Sequence, residues 1–259
     1  MLLNIDPSAE KDKITGFIKT VLAKQGFEKV VIGLSGGVDS ATAFYLLKEV
    51  IKPQNVFVAH LYYFESQIDN MKKMLFDAKV PNANIHNISI ENSVDALAKI
   101  LSLDQNSKDY KIRFGNIMAR LRMIVLFDLA KKHKALVCGT ENKSEHLLGY
   151  FTRFGDEASD IEPIQHLYKT QVFELAKYLG VPNEIIQKSP SANLWESQTD
   201  EGEFGFTYKE ADQVLFYYYD KKLKLEEIKK KGFTNAEKII SFSLKNSYKH
   251  HTPYAIKLT

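Results

Sequence analysis

A glycine-rich segment, Ser35-Gly36-Gly37-Val38-Asp39-Ser40, carries residue types that suit the binding of a polyphosphate. It lies between an apolar run, Lys29–Leu34, that predicts a buried strand and a run from Ala41 to Ile51 that predicts a helix. A loop in that position directs backbone amides and the positive end of a helix at one point, and its glycines let an anion approach the backbone. Gly-Gly after a strand is often only a turn, but a turn does not require the flanking serines and the acid. We therefore expect a phosphate site.

Two acids are candidates for holding a metal ion beside this loop. Asp39 repels phosphate, so we expect it to hold a cation that bridges to the phosphates. Glu145 comes just after a second apolar run, Ala135–Thr140, that also predicts a strand. Since the carboxyl ends of parallel strands meet at one rim, Asp39 and Glu145 are expected to converge there, and two carboxylates with retained waters suit Mg²⁺. The alternative for Glu145 is a surface acid or a helix cap.

The elements that must position these residues alternate along the first half of the chain. Strands are predicted at Lys29–Leu34, Asn55–Leu61, Ile85–Ile90 and Ala135–Thr140. Helices are predicted at residues 8–25, Ala41–Ile51, Gln67–Ala78, Asn92–Leu101, Asn116–Lys132 and Ser144–Leu148. Alternating buried strands and helices predict the α/β class, with a doubly wound parallel sheet, helices on both faces and ligands at the carboxyl ends of the strands.

The second half of the chain, from about residue 150, carries no further strand pattern. Helices are predicted at Lys169–Leu179, Tyr208–Tyr219, Lys222–Lys230 and Asn235–Asn246. We expect them to cover the sheet, as part of a single domain over residues 1–259. The polar segment Ser189–Thr207 is long for a connection in a compact domain, so it is a candidate lid.

Composition and charge exclude several other classes of protein. The net charge of +3 over 259 residues is too small to argue for a nucleic-acid partner. The single cysteine, Cys138, excludes an internal disulfide framework and a cysteine-based zinc cluster, and its apolar surroundings predict a buried strand residue. No apolar stretch approaches the length of a membrane span, and no signal pattern opens the chain. We expect a cytoplasmic protein without a membrane partner.

The segment at residues 35–40 resembles the loop of the ATP pyrophosphatase superfamily, whose members cleave ATP between the α and β phosphates and adenylate a substrate. Four further stretches narrow the resemblance to ammonia-dependent NAD synthetases. They are GNIMARLRM at Gly115–Met123, GTENKSE at Gly139–Glu145, GYFTRFGD at Gly149–Asp156 and KSPSANLWESQTDE at Lys188–Glu201. The match runs from about residue 28 to residue 210, with the motifs in the order that the family shows.

This resemblance implies an adenine nucleotide alpha hydrolase-like fold with a five-stranded sheet. It implies a ligase that uses ATP and Mg²⁺ to convert the nicotinate carboxylate of deamido-NAD into the amide of NAD, through an adenylated carboxylate. Ammonia supplies the nitrogen, and AMP and pyrophosphate are released. A homodimer with active sites near its interface is also implied.

The resemblance also assigns site residues by motif position. The implied ATP contacts are Gly33, Leu34, Ser35, Gly36, Gly37, Val38, Asp39, Ser40, Thr140, Lys169 and Ser191. The implied deamido-NAD contacts are Arg120, Arg153, Asp160, Tyr248 and Lys249. Asp39 and Glu145 are the implied Mg²⁺ ligands. Asp156 is the implied acceptor of ammonium, and the nearby acids Asp200 and Glu201 are candidates to share that task.

Several positions depart from the family pattern or have other interpretations. Arg153 stands where many members carry Lys, and Ser191 where many carry Thr, and both preserve the function of the group. Gln67 is a candidate contact of the adenine pocket. Arg122 lies on a different side of its helix from Arg120, which favours a structural role.

Three other functions compete with this interpretation. Another ATP pyrophosphatase that adenylates a tRNA or a small-molecule carbonyl or carboxylate would usually add a basic module or catalytic cysteines. A non-catalytic nucleotide sensor would have no use for the paired acids Asp39 and Glu145. A glutamine-dependent NAD synthetase would need an additional amidohydrolase domain, for which 259 residues leave no room.

Overall fold

The computed structural model describes residues 3–64, 68–192, 194–195, 197–251, 254 and 256. Within these ranges four strands form one parallel sheet in the order β3-β2-β1-β4. The strands are β1 (Val30–Gly33), β2 (Val56–Tyr62), β3 (Ile85–Ser89) and β4 (Leu136–Cys138). They coincide with the four predicted apolar runs, with ends that differ by up to two residues.

The implied fifth strand is wrong for the described part of the chain. Beyond β4 only Ile161 makes an isolated parallel bridge, with Cys138. The backbone N–H of Val137 donates to the Asp160 carboxylate at 2.8 Å instead of to a neighbouring strand. Pro163, two residues after Ile161, has no N–H to offer to a neighbouring strand. These local bonds end the sheet at β4.

Helices fill most of the rest of the described chain. They are α1 (Pro7–Gln25), α2 (Val38–Lys48), α3 (Asp69–Asp77), α4 (Glu91–Ile100), α5 (Tyr110–His133), α6 (Lys143–Leu148), α7 (Lys169–Leu179), α8 (Asn183–Ile186), α9 (Asp200–Phe204), α10 (Tyr208–Leu215), α11 (Leu225–Lys229) and α12 (Ala236–Asn246). The prediction of one helix over Tyr208–Tyr219 is wrong at its end, because the turns widen to a π-helix at Phe216–Asp220. None of the described helices is long and apolar enough to cross a membrane.

The predicted loop Ser189–Thr207 is wrong in part, because α9 lies inside it. The Thr199 hydroxyl accepts a hydrogen bond from Gly202 N at 3.2 Å and so caps the start of this helix. Gly205, with φ +66°, ends it in the left-handed conformation. A helix of five residues is too short to show an apolar period, so only its caps could have revealed it.

The sheet is doubly wound, as predicted. Val30 and Ile32 of β1 pack on one face, in a cluster with apolar residues of α1, α2 and α7. Val31 points to the other face and packs with α4 and α5. The C-terminal helices α10 and α12 pack against α6 and form a third apolar cluster with it. Cys138 is buried within β4, and burial raises the pKa of its thiol.

The order of the strands places β1 between β2 and β4. The chain leaves β1 towards β2 and β3 on one side, and only later adds β4 on the other side. Parallel sheets of this kind open a crevice outside the carboxyl ends of the two strands where the direction changes. The segments that leave β1 and β4 at this point are the ones that carry Asp39 and Glu145.

Candidate active site

The segment at residues 35–40 folds over the amino end of α2, as the sequence predicts. Gly36 has a φ of +77°, a backbone conformation that favours glycine. The hydroxyls of Ser35 and Ser40 lie 3.2 Å apart, and Ser35 N donates to Ser40 Oγ at 3.3 Å. Helix α2 begins at Val38, earlier than predicted, so Asp39 and Ser40 lie in its first turn. The loop therefore presents a helix amino end beside the carboxyl end of β1.

Asp39 and Glu145 converge on one point, which is occupied by the side-chain ammonium of Lys169. Lys169 Nζ lies 2.5 Å from Asp39 Oδ2 and 3.1 Å from Glu145 Oε1. Lys169 is the first residue of α7, and only 2% of it is exposed. Burial alone would lower the pKa of Lys169, but the Asp39 and Glu145 carboxylates outweigh this and raise the pKa well above its ordinary value. The ammonium is therefore charged.

Asn142 holds both acids in place. Its amide Nδ2 donates to Asp39 Oδ1 at 3.0 Å, and its Oδ1 accepts from Glu145 N at 3.0 Å. Glu145 Oε2 in turn accepts from Asn142 N at 3.4 Å, which completes a capping box at the start of α6. Glu145 is thus a helix cap through one oxygen and a ligand of Lys169 through the other. The sequence contains the pattern of this capping box, an Asn followed three residues later by Glu, so the role of Asn142 as a helix cap could have been predicted.

A third acid, Asp200, belongs to the same cluster and is 3% exposed. Tyr208 donates its hydroxyl to Asp200 Oδ2 at 3.0 Å, whereas the other oxygen, Oδ1, is buried without a hydrogen-bond partner. Burial raises the pKa of Asp200, against the effect of Lys169. Burial also raises the pKa of Glu145 to about 8, and Lys169 opposes this too. The ammonium of Lys169 therefore contacts two carboxylates and lies in the electrostatic field of a third.

Asp212 connects, through hydrogen bonds, the helices α6 and α7 that carry Glu145 and Lys169. Its carboxylate accepts from Ser144 Oγ of α6 at 2.5 Å and from Thr170 N of α7 at 2.8 Å. Ser144 Oγ in turn accepts from Lys169 N at 2.8 Å. Asp212 is wholly buried on α10, so one side chain fixes the starts of α6 and α7 relative to each other. No local sequence pattern predicted this role for Asp212.

Asp156 lines a cavity of about 60 Å³ next to this cluster, together with Thr140, Glu141, Glu145, Tyr150 and Phe151. Its Oδ1 accepts from Thr152 N at 2.9 Å. Although the residue is open to solvent, protein atoms crowd its carboxylate, and this partial desolvation together with the Glu141 carboxylate raises its pKa. The other suggested ammonium acid, Glu201, accepts from Tyr208 N at 2.8 Å and caps α10.

Most of the residues assigned to deamido-NAD gather around the Gly149–Asp156 loop. Arg120 Nε donates to Arg153 O at 3.3 Å, and the Arg153 guanidinium lies 5.4 Å from the centre of the Tyr248 ring. Lys249 Nζ donates to the carbonyl oxygens of Gly149 and Phe151 at 2.7 and 2.8 Å. These groups form a basic surface on one side of the loop.

Two other residues near this surface are engaged by the backbone. Asp160 accepts from Val137 N at the edge of β4, so its carboxylate stabilises the end of the sheet. Arg122 donates through Nε to Leu61 O at 3.1 Å, which agrees with the structural role predicted for it.

A second cavity, of about 80 Å³, opens beside the phosphate loop. It is lined by Ser35, Gly36, His60, Ile68, Asn70, Met71, Glu184, Ile185 and Lys188. Ser191 lies a few residues beyond this lining, half-buried between α8 and α9. Gln67 lies outside the described residues. Of the lining residues, the sequence assigned a role only to Ser35 and Gly36, and Lys188 opens the motif Lys188–Glu201.

A parallel α/β sheet with an anion-binding loop after β1 and convergent acids at the switch point defines a nucleotide-binding protein of the adenine nucleotide alpha hydrolase-like class. The NAD synthase family model matches residues 10–253. The chain belongs to the NAD synthase family.

Individual relatives cover the chain almost completely. An NH(3)-dependent NAD(+) synthetase of Fusobacterium nucleatum is 40% identical over 262 residues, which cover 99% of this chain and 98% of the relative. That of Wolinella succinogenes is 41% identical over 252 residues, or 96% and 95% of the two chains. Among solved structures, an NMN synthetase from Francisella tularensis has a TM-score of 0.80 at 33% identity, and 99% of each chain is covered.

Proposed function

We propose that this chain amidates the nicotinate carboxylate of deamido-NAD with ATP and ammonia, through an adenylated carboxylate. The observation that carries the proposal is the convergence of Asp39 and Glu145 beside the phosphate loop. A carboxylate does not react with ammonia until one of its oxygens becomes a good leaving group. Adenylation supplies that group, releasing pyrophosphate first and AMP after the nitrogen has been added.

The charges of the cluster fit a divalent cation. Asp39, Glu145 and Asp200 outnumber the Lys169 ammonium, and Asp200 Oδ1 is buried without a partner. Asp39 and Glu145 would hold Mg²⁺, which usually takes one or two carboxylates and completes its shell with phosphates and waters. When bound, the ion neutralises the charge that develops as the α–β phosphate bond breaks.

The phosphate side of the site is assigned to the loop and to α7. Residues Gly33–Ser40 and Thr140 bound the space proposed for the triphosphate, and the adenosine end is assigned to the side of the loop on which the cavity of about 80 Å³ opens, with Ser191 nearby. Lys169 transfers part of its contact from Asp39 to the phosphates when ATP binds, because phosphate oxygens offer an ammonium the stronger negative field. This proposal retains the role that the sequence assigned to Lys169.

The basic surface at the Gly149–Asp156 loop is assigned to the second substrate. Arg120 and Arg153 offer planar guanidinium groups that suit a phosphate or a carboxylate, and Lys249 adds a point charge. Tyr248 supplies a ring face beside Arg153, and Asp160 suits a ribose hydroxyl at the edge of β4. Asp156 lies between this surface and the acids, where ammonium must meet the activated carboxylate.

The similarity to an NMN synthetase raises a second candidate substrate, the mononucleotide that lacks the adenylyl half. Both substrates present the same nicotinate carboxylate, so the acids do not distinguish them. The match to the NAD synthase family and the NAD(+) synthetases of F. nucleatum and W. succinogenes, which align over almost their whole length, favour the dinucleotide.

The test is to supply ATP, Mg²⁺ and ammonium with deamido-NAD, with nicotinate mononucleotide or with neither. We expect AMP and pyrophosphate only when an acceptor is present, and NAD at a higher kcat/KM than NMN. Glutamine in place of ammonium is expected to give no product. Equal AMP formation without an acceptor would contradict the proposal, and a preference for the mononucleotide would replace its substrate.

We also propose that the enzyme works as a homodimer in the cytoplasm. Four large apolar side chains are more than half exposed on the neighbouring helices α4 and α5 or directly after α4: Ile100, Leu101, Ile112 and Ile124. Exposed apolar side chains of this size favour burial against a second copy. Analytical ultracentrifugation is expected to show a dimer that Ile112→Lys dissociates, whereas Phe76→Lys, at an exposed site on α3, leaves it intact.

A further inference from the structure

The π-helix at Phe216–Asp220 directly follows α10 and ends with an acid. Lys221 N donates to Phe216 O at 2.9 Å, a hydrogen bond across five residues. Such wide turns are rare and often lie at functional sites. In a regular α-helix, residues eight apart, as Asp212 and Asp220 are, point about 80° away from each other. The wider turn rotates less per residue, and both acids contact residues at the starts of α6 and α7.

Asp220 binds one residue from each of these two helix starts. Lys143 Nζ donates to its two carboxylate oxygens at 2.8 and 2.7 Å, and Tyr168 donates its hydroxyl to Asp220 Oδ2 at 2.9 Å. The Lys143 ammonium also lies 4.6 Å from the centre of the Tyr168 ring. Burial and the hydrogen bond to Asp220 raise the pKa of Tyr168, so the hydroxyl keeps the proton that it donates.

The two partners of Asp220 adjoin the residues of the candidate active site. Lys143 is the first residue of α6, two positions before Glu145, and Tyr168 directly precedes Lys169, the first residue of α7. Lys143 N also donates to Leu167 O at 2.8 Å, which joins the two helix starts through their backbones. A displacement of either start therefore moves Glu145 and Lys169 relative to each other.

Asp212 and Asp220 hold this pair of helix starts from different sides. Asp212 is wholly buried and accepts from Ser144 Oγ and Thr170 N. The Asp220 side chain is 32% exposed and binds from the solvent side. A single attachment leaves a helix end free to pivot about it, whereas two attachments also fix its direction.

The π-helix itself is held against the C-terminal helices. The hydroxyls of Tyr219 and Ser243 lie 2.7 Å apart, and Ser243 Oγ of α12 donates to Leu147 O of α6 at 2.5 Å. Ser243 is wholly buried. Asp220 therefore extends from a packed element.

The charge of Lys143 gives Asp220 a second role. Both α6 and α7 begin with a lysine, although the amino end of a helix disfavours a positive charge. Carboxylates compensate in both cases. Lys169 contacts Asp39 and Glu145, and Lys143 contacts Asp220.

We propose that Asp220 is a positioning residue for the reaction and acts through Lys143 and Tyr168. It sets how Glu145 and Lys169 lie relative to the phosphate loop. The inference rests on the proposed function and extends it. A misplacement of about 1 Å in such a site can lower a rate by about two decades, so this outer attachment matters for turnover.

Steady-state kinetics test the proposal at a temperature well below unfolding. For Asp220→Ala we expect kcat to fall about tenfold and the Mg²⁺ concentration at half-maximal rate to rise about fivefold. The KM for deamido-NAD should stay within about twofold of wild type, because its assigned contacts gather around the Gly149–Asp156 loop, beyond the other end of α6. This split between kcat and KM separates positioning from a general loss of stability.

A second variant and a matched control complete the kinetic design. Lys143→Met should reproduce the effect of Asp220→Ala, and the double variant should lose no more than either single variant. Glu237→Gln removes another ion pair of the C-terminal helices, to Lys229 at 2.8 Å, and should leave the kinetics unchanged.

Amide hydrogen exchange of the ligand-free protein gives a measure that does not depend on activity. In Asp220→Ala the amides at the starts of α6 and α7 should exchange about tenfold faster than in wild type, and those of β1 and β2 at the same rate. Asp220→Asn keeps the shape of the side chain and removes its charge. It should change the kinetics and the exchange in the same direction, and it tests the inference if Asp220→Ala does not fold.

The contrary outcomes are distinct. Unchanged kcat and Mg²⁺ dependence in folded Asp220→Ala or Asp220→Asn overturns the inference, even if stability falls. Losses that multiply in the double variant, or an equal loss in Glu237→Gln, also overturn it. Absence of AMP formation by the wild-type protein with deamido-NAD would instead contradict the proposed function, and unchanged exchange at α6 and α7 would still overturn the positioning role.

Discussion

The ammonium of Lys169 lies 2.5 Å from the Asp39 carboxylate, at the point where the sequence predicts a metal ion. Lys169 is almost fully buried there, and Glu145 is its second partner. Lys169 is the positive charge that both acids contact.

Replacement of Lys169 is therefore expected to destabilise the fold. Lys169→Met leaves the half-buried Asp39 and Glu145 and the buried Asp200 without this ammonium, which should lower the free energy of unfolding by roughly 3–5 kcal/mol. Added Mg²⁺ should raise the melting temperature of this variant more than that of wild type. Lys177→Met, at an exposed site on the same helix, is the control. Equal stability of the two variants in the absence of Mg²⁺ would refute this role.

The two acids themselves are expected to be essential for turnover. Asp39→Asn and Glu145→Gln should each lower kcat by roughly two decades or more, because each removes a ligand and a charge that compensate the developing phosphate charge. Excess Mg²⁺ should recover part of the loss. Glu49→Gln, at the exposed end of α2, is the matched control and should keep its rate. Normal kcat in both acid variants would show that they are not metal ligands.

Much of this site was readable from the sequence because its chemistry lies in contiguous segments. The phosphate loop needs a strand, two glycines and a helix in succession, and α7 begins at Lys169 as predicted. Hydrogen bonds between residues far apart in the sequence could not be predicted. Asn142 and Asp39 lie 103 residues apart, and only packing brings them to 3.0 Å. Asp212 likewise acts through hydrogen bonds to two other helices, and no periodic pattern in the sequence predicts such contacts.

Two other errors have specific structural causes. The described residues form no fifth strand because the Asp160 side chain accepts the hydrogen bond of Val137 N. Helix α9 was not predicted because it is too short to show an apolar period. The buried Glu141 Oε1, which has no hydrogen-bond partner, could not be predicted from the Gly139–Glu145 motif. In that motif the sequence assigned roles only to Thr140 and Glu145.

Glu162 should make stability depend on pH. Burial, together with the nearby Glu141 and Asp156, raises its pKa to about 8. A raised pKa means that the folded protein binds the proton more tightly than the unfolded chain. The stabilisation is therefore fully present below the ordinary glutamate pKa and is lost as the pH rises through about 8.

The test compares wild type with Glu162→Gln in chemical denaturation from about pH 6 to about pH 9. Wild type should lose roughly 2 kcal/mol more than the variant across this range, because the glutamine does not titrate. Parallel pH profiles for the two proteins would contradict the shift.

The segment around Trp195, the single tryptophan of the chain, is expected to respond to substrates. Leu194 N donates to Gln198 Oε1 at 2.7 Å, and the Leu194 side chain lies so close to Gly115 that a Cβ there would come within 2.8 Å of it. Closure over the acyl adenylate would exclude water that otherwise hydrolyses it.

Trp195 emission should therefore shift, and its quenching by a soluble quencher should fall, when ATP and deamido-NAD bind together. Either substrate alone should give a smaller change. Identical spectra and quenching with and without saturating substrates would show that the segment is not a lid.

The most direct test of the central claim, that Asp39 and Glu145 serve the adenylation of a carboxylate, is an isotope transfer. Deamido-NAD whose nicotinate carboxylate carries ¹⁸O is converted with ATP and ammonium. The ¹⁸O content of the AMP and of the pyrophosphate is then measured by mass spectrometry. Attack of the carboxylate on the α phosphate predicts one labelled oxygen in AMP and none in pyrophosphate. Label in pyrophosphate, or unlabelled AMP formed together with NAD, would contradict the account.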